Sequence, residues 1–263
     1  MIYLKTTINY LLWGGHGVEL NKQFERDGRW LFRWRSYLPL LMIALFILAF
    51  HELKYSEYSY SLDQSWEVLC LAVSLFGLLI RALTVGYVPR GTSGRNTVRQ
   101  RAETLNTTGM YSIVRHPLYV GNYLMWLGVS MFARLWWFSL IVTLIFWLYY
   151  ERIMFAEEMF LKNKFGDTFS KWAETTPCFI PNLKGWKSPD LAFSWKTVLK
   201  REFSTVFSIV AIFMFLEVIE DLFIRGKLVF DLMWMILFAA SLMFYLILLI
   251  LKKKTKLLDV EGR

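Results

Sequence analysis

Six apolar runs, near residues 37–50, 66–86, 112–132, 135–155, 204–220 and 229–251, constrain this chain more than any other feature. A helix needs about 20 apolar residues to cross the hydrocarbon core of a bilayer, and most of these runs approach that length. Hydrophobic residues make up 56% of the chain and charged ones only 19%, a balance too apolar for an ordinary soluble domain. The chain therefore reads as all-α, a polytopic membrane helix bundle of about six spans. The first run is short, and either extends back through Trp30-Leu31-Phe32 or lies shallowly. Only Ala133-Arg134 separates the third and fourth runs, so these two spans form a tight helix hairpin.

The formal net charge is +9, but its distribution argues against a nucleic-acid partner. Residues 1–36 carry six Lys/Arg, 87–111 four, 151–203 nine and 252–263 five. The alternate connections 51–65, 133–134 and 220–228 carry one, one and two. Lys and Arg collect on the cytoplasmic side of membrane proteins, so both termini are expected in the cytoplasm. Residues 1–36 are then a cytoplasmic amphipathic segment whose Arg29-Trp30-Leu31-Phe32-Arg33-Trp34-Arg35 stretch suits a headgroup interface. Residues 37–203 form a membrane core with a cytoplasmic segment, and 204–263 add two spans and a basic tail. No removable signal peptide is evident. With two cysteines, Cys70 and Cys178, and three histidines, the chain shows no metal-ligand spacing, so neither a disulfide framework nor a metal is expected.

Against the start of the third run stands a polar cluster, Thr107-Thr108-Gly109-Met110-Tyr111-Ser112-Ile113-Val114-Arg115-His116-Pro117-Leu118-Tyr119. Ionisable groups near a membrane helix are a site hypothesis by default. Pro117 suits the first turn of a helix, where its missing N–H loses nothing. That helix end favours a carboxylate or phosphate, and Arg115 reinforces it. His116, Tyr119 and Tyr123 recur on one face, a wall able to stack on a purine or to form an interfacial aromatic belt. On the next helix Glu151, Phe155, Glu158 and Lys162 share a face, with Glu157 to the side. They read as a ligand-facing set or as a solvated helix end carrying ion pairs. The helix is expected to break at Phe165-Gly166, and two prolines make Pro177-Cys178-Phe179-Ile180-Pro181 extended. The connection 87–111 holds Gly91 and Gly94, and no Gly-Lys-Ser/Thr of a P-loop follows them.

Taken together, Thr104-Leu105-x-Thr107-Thr108-Gly109-x-Tyr111, Arg115-His116-Pro117-x-Tyr119-x-Gly121, Glu157-Glu158 and Phe165-Gly166 resemble the isoprenylcysteine carboxyl methyltransferase and phospholipid methyltransferase family. The resemblance covers about residues 66–185. It implies an integral-membrane enzyme that uses S-adenosylmethionine, with 37–203 as its core. It further implies cofactor contacts from Glu103, Thr104, Leu105, Asn106, Tyr111, His116, Pro117, Leu118, Tyr119 and Glu157, to which Arg115 is added. An Arg orients the substrate in that family; Arg152 stands one residue before the matching position, Ile153. Arg152 and Glu158 are thus the expected catalytic residues, Glu158 as base should the acceptor be an amine. The acceptor would be a lipid or lipidated headgroup, carboxylate or phosphate before amine, at the cytoplasmic face. Two alternatives remain at this level: a sterol-type reductase whose NADPH would meet Arg95, Arg99 and Arg101, and a membrane scaffold without activity.

Overall fold

The computed structural model describes residues 19–34, 45–46, 60–89, 91, 102–224, 226–228 and 230–263. Most of the expected span at 37–50, the loop arginines Arg95, Arg99 and Arg101, and most of the N-terminal segment lie outside the described residues. Among those described there are eight helices and no strand. They are α1 (Leu20–Trp34), α2 (Tyr60–Tyr87), α3 (Met110–Ile113), α4 (Pro117–Met131), α5 (Trp136–Phe165), α6 (Asp167–Thr175), α7 (Trp195–Ile224) and α8 (Leu232–Lys254). Gln64–Tyr87, Trp136–Phe165, Trp195–Leu222 and Leu232–Lys254 are long and apolar enough to cross a membrane, which makes this a polytopic helix bundle.

The expected third span is shorter than its apolar run. Residues 112–116 are taken up by α3 and an extended link, so α4 has only 15 residues. At about 1.5 Å per residue that is about 22 Å, less than the roughly 30 Å of a bilayer core. Its neighbours cover it. Glycines let α2 press against α4: a Cβ at Gly121 would meet Gly77 O at 2.6 Å, and one at Gly128 would meet Ser74 Oγ at 2.3 Å. Small residues at such crossings let membrane helices approach closely, and Ser74 Oγ donates to Met125 O at 3.0 Å across this one.

The turn to α5 is tight, with four residues, Phe132 to Leu135, between the two helices. Arg134 takes a left-handed φ of 55°, which reverses the chain at once. Around this turn Phe132, Phe138, Phe213 and Trp234 form the core where α2, α4, α5, α7 and α8 meet. The Phe213 and Trp234 rings stack at 5.6 Å. At its other end α5 runs to Phe165 and stops at Gly166, φ 53°, where the sequence placed the break. Beyond it, α7 runs unbroken from Trp195 to Ile224. Helix α1 lies along α5, where a Cβ at Gly28 would stand 2.0 Å from Arg152 O. Tyr149 Oη donates to Leu31 O at 2.8 Å across the same contact.

Candidate functional site

The site begins with a backbone strap. Gly109, φ 59°, opens α3, Val114 is extended, and His116 caps α4 with Pro117 at its first turn. The segment bracketed by prolines pairs with this link: Arg115 N donates to Pro177 O at 2.9 Å, His116 N to Cys178 O at 3.3 Å and Asn182 N to Ile113 O at 2.9 Å. From behind, Trp172 on α6 donates its indole N–H to Tyr111 O at 3.1 Å. Held so, His116 points at α5 and is 7% exposed.

Two adjacent glutamates of α5 receive it. His116 Nε2 lies 3.0 Å from Glu158 Oε1, and Nδ1 lies 3.6 Å from Glu157 Oε2. Tyr119 stacks on the imidazole at 5.6 Å and donates its hydroxyl to Glu157 Oε1 at 2.7 Å. Arg115 stands on the other side, with Nε 3.0 Å from Glu158 Oε1 and Nη1 donating to Ala173 O at 2.9 Å. Cys178 Sγ approaches the same Glu158 oxygen at 3.6 Å. Burial alone would lower the pKa of His116, but its contacts with Cys178, Glu157 and Glu158 outweigh that and hold the ring protonated well above its usual range. Burial, followed by the charge of Glu157, pushes the Tyr111 phenol up, so it stays neutral.

Beside the cluster a cavity of about 390 Å³ opens between α5 and α6, lined by Arg115, Phe155, Glu158, Lys162, Phe169 and Glu174. Three of the four residues that the sequence set on one helix face, Phe155, Glu158 and Lys162, line it; Glu151 is exposed. Such a volume suits a small-molecule ligand, and the pairing of a cation with carboxylates suits a zwitterionic one. Pro117 is fully buried at the helix start and Leu118 half-buried. Glu103 and Thr104 are exposed and Leu105 and Asn106 half-buried. This segment passes the end of α5, where Lys164 Nζ donates to Ala102 O. Arg152 does not join the cluster: its guanidinium lies 5.4 Å over the Phe24 ring of α1 and donates to Leu148 O of its own helix.

One expectation needs correction. The sequence showed no metal-ligand spacing, yet the fold brings a His116 nitrogen, a Glu158 oxygen and Cys178 Sγ within 4.8 Å of one another. Local spacing missed the set because its members come from three separate segments. A divalent cation there would have to displace the His116 proton and share Glu158 with Arg115, so the arrangement favours the hydrogen-bonded state over ligation. Cys178 was also missed as a site residue. The only signal for it was the proline-bracketed segment, which says that the chain is extended but not what it lies against.

Residues 67–168 match the family model described as phospholipid methyltransferase. The chain is 32% identical over 83 residues to a protein-S-isoprenylcysteine O-methyltransferase of Schizosaccharomyces pombe, covering 32% of this chain and 35% of that one. It is 28% identical over 156 residues to the nickel-cobalt-cadmium resistance protein NccN of Alcaligenes xylosoxydans xylosoxydans, 59% of this chain and 66% of that one. It is 32% identical over 122 residues to the cobalt-zinc-cadmium resistance protein CzcN of Cupriavidus metallidurans, 46% of this chain and 54% of that one. The matches thus span 35% to 66% of the length of these relatives. No solved structure matches. His116, Tyr119, Glu157 and Glu158 all lie within the matched segment, and along it the chain is similar to phospholipid methyltransferases and to protein-S-isoprenylcysteine O-methyltransferases.

Proposed function

We propose that this protein transfers a methyl group from S-adenosylmethionine to the headgroup of a lipid or lipidated acceptor at the cytoplasmic face of a membrane. The observation that carries the reading is the meeting of His116, Tyr119, Arg115, Glu157 and Glu158 beside an open cavity, inside the family match. S-adenosylmethionine, when bound, supplies an electrophilic methyl carbon on a sulfonium. What the chain adds is alignment, charge balance and exclusion of water. Arg115 would hold the cofactor's carboxylate, Glu157 its hydroxyls or ammonium, and Tyr119 with His116 one face of its base. Tyr111, Pro117, Leu118 and the segment Glu103, Thr104, Leu105 and Asn106 would complete the walls. Both termini would be cytoplasmic, as the Lys/Arg bias suggests, with 37–203 as the catalytic core and 204–263 as an addition.

The acceptor oxygen would attack the methyl carbon as the carbon–sulfur bond breaks, leaving S-adenosylhomocysteine. An anionic acceptor has no proton to lose. Glu158, already shared by His116 and Arg115, is poorly placed to act as a base, and this supports a carboxylate or phosphate acceptor over an amine. Arg152 would meet an acceptor only from the α1 side.

Calorimetric binding of S-adenosylhomocysteine to the full chain in detergent tests the reading. Saturable binding that is lost in His116→Ala and in Glu157→Ala is expected. Folded protein that binds NADPH in its place would put the reductase reading ahead of the methyltransferase. A second reading comes from the relatives named for metal resistance together with the His116, Glu158 and Cys178 donors. Under it Cd²⁺ binds the protein alone, stoichiometrically, and Cys178→Ser abolishes that binding; no heat on titration with Cd²⁺ disposes of it.

A further inference from the structure

The family match ends at residue 168, so α7 and α8 lie beyond it, yet α7 sends a carboxylate toward the site. Glu202 is buried, and it accepts two bonds from Arg81 of α2, from Nε at 3.1 Å and from Nη2 at 2.8 Å. The third nitrogen of Arg81, Nη1, donates to Asn122 Oδ1 of α4 at 2.6 Å. Asn122 Nδ2 donates onward to Tyr150 Oη of α5 at 3.4 Å. The Tyr150 ring packs at 4.8 Å on Tyr119, the residue whose hydroxyl holds Glu157. One guanidinium thus ties four helices together and ends one ring short of the His116 cluster.

The glycine of the Arg-His-Pro-x-Tyr-x-Gly block belongs to the same device. A Cβ at Gly121 would stand 2.6 Å from Arg81 Cγ, so only glycine lets the arginine stem pass α4 to reach both Glu202 and Asn122. A buried ion pair adds little to stability against an apolar replacement of equal volume, which directs attention to what its geometry fixes. The planar fork of Arg fixes three acceptor atoms in one plane, which a lysine cannot. Ionisable groups at this depth are a functional hypothesis by default.

We propose that Glu202 is a positioning residue for the cofactor pocket: through Arg81 and Asn122 it sets the Tyr150–Tyr119 pair and hence Glu157. The inference rests on the methyltransferase reading and adds α7 to the machinery. Titrating S-adenosylhomocysteine into detergent-solubilised full chain tests it, with Glu202→Gln, Asn122→Ala and the double variant beside the unsubstituted protein. Each single change is expected to weaken binding about tenfold. The double variant should be no weaker than the worse single one, because both act on one chain of contacts. Folded Glu202→Gln that binds like the unsubstituted protein overturns the proposal. Should Glu202→Gln fail to fold, Asn122→Ala, which leaves the Arg81–Glu202 pair intact, decides alone: unchanged affinity overturns it, and the tenfold loss upholds it. Absence of binding by the unsubstituted protein instead removes the cofactor reading, and the inference falls with it before any variant is compared.

Discussion

The two ends of the α4–α5 hairpin each gather one arginine and a group of carboxylates, and they put them to different ends. At the Pro117 end, Arg115, His116, Glu157 and Glu158 face a cavity of about 390 Å³, and every charge has a neighbour that a ligand can replace. At the Arg134 end, Nη1 donates to Glu220 Oε1 at 2.9 Å, and Glu67 Oε2 accepts from the Trp234 indole at 2.9 Å, among Phe132, Phe213 and other core side chains. Similar chemistry is open in one place and sealed in the other. The difference lies in what surrounds the charges: a strap and a short helix on one side, three long apolar helices on the other. Charge alone would mark both ends as sites; the packing selects one.

The strongest way to break this comparison is Arg134→Ala. Glu220 and Glu67 are buried, and removing one partner of a buried ion pair leaves an uncompensated charge, typically at about 3–5 kcal/mol. Thermal unfolding in detergent should show a large fall in midpoint, while the protein that remains folded keeps its affinity for S-adenosylhomocysteine. Lost affinity at an unchanged midpoint would make the far end part of the site.

His116→Ala should give the opposite pattern. The imidazolium lies between two carboxylates of the proposed binding wall, so its loss is expected to weaken S-adenosylhomocysteine binding by about ten- to a hundredfold, or about 1.4–2.7 kcal/mol. Glu157 and Glu158 are each about a quarter exposed and gain water when the ring goes, so the unfolding midpoint should move less than in Arg134→Ala. Equal midpoint shifts in the two variants would erase the distinction between the ends.

Much of this was legible in the sequence, for reasons that can be named. The hairpin followed from two residues between apolar runs, the end of α5 from Phe165-Gly166, and the cluster from polar groups beside a proline at a helix start. What escaped depended on distant packing. The 112–132 run does not reveal that its first five residues close α3 and form an extended link rather than begin α4, because Val114 is as apolar in an extended link as in a span. The charge of Arg81 falls inside the apolar run 66–86, but its partner Glu202 is 121 residues away and on a helix with no motif. Arg152 shows the converse. The family resemblance offered it a substrate-orienting role one residue before the matching position, and a rotation of about 100° per residue turns it toward α1.

Titration sharpens the comparison from another side. His116 keeps its proton well above the usual range because the Cys178, Glu157 and Glu158 contacts outweigh burial, with Arg115 on the far side of Glu158. A group whose pKa is raised on folding gives stability that is complete below the unfolded value, about 6.5, and fades as pH rises through the folded value. The unfolding midpoint should therefore decline from about neutral pH upward. In His116→Ala that part of the slope should be missing, whereas Arg134→Ala should retain it. A parallel decline in all three proteins would place the titrating group elsewhere.

The smallest effect is expected at Arg152. Its guanidinium packs over Phe24 of α1 and donates to Leu148 O of its own helix, so it ties α1 to α5 rather than touching the cluster. An exposed cation–π contact is worth about 0.5–1 kcal/mol, so Arg152→Ala should lower the midpoint slightly and leave S-adenosylhomocysteine affinity unchanged. The informative readout is the acceptor. Should the lipid enter between α1 and α5, loosening α1 raises the KM for acceptor a few-fold at constant cofactor affinity, because the change removes a wall of the entrance and not a contact to the reacting atoms. Unchanged acceptor kinetics would confine Arg152 to holding α1. A fall in cofactor affinity would mean that the Pro117-end site extends further along α5 than its present geometry indicates.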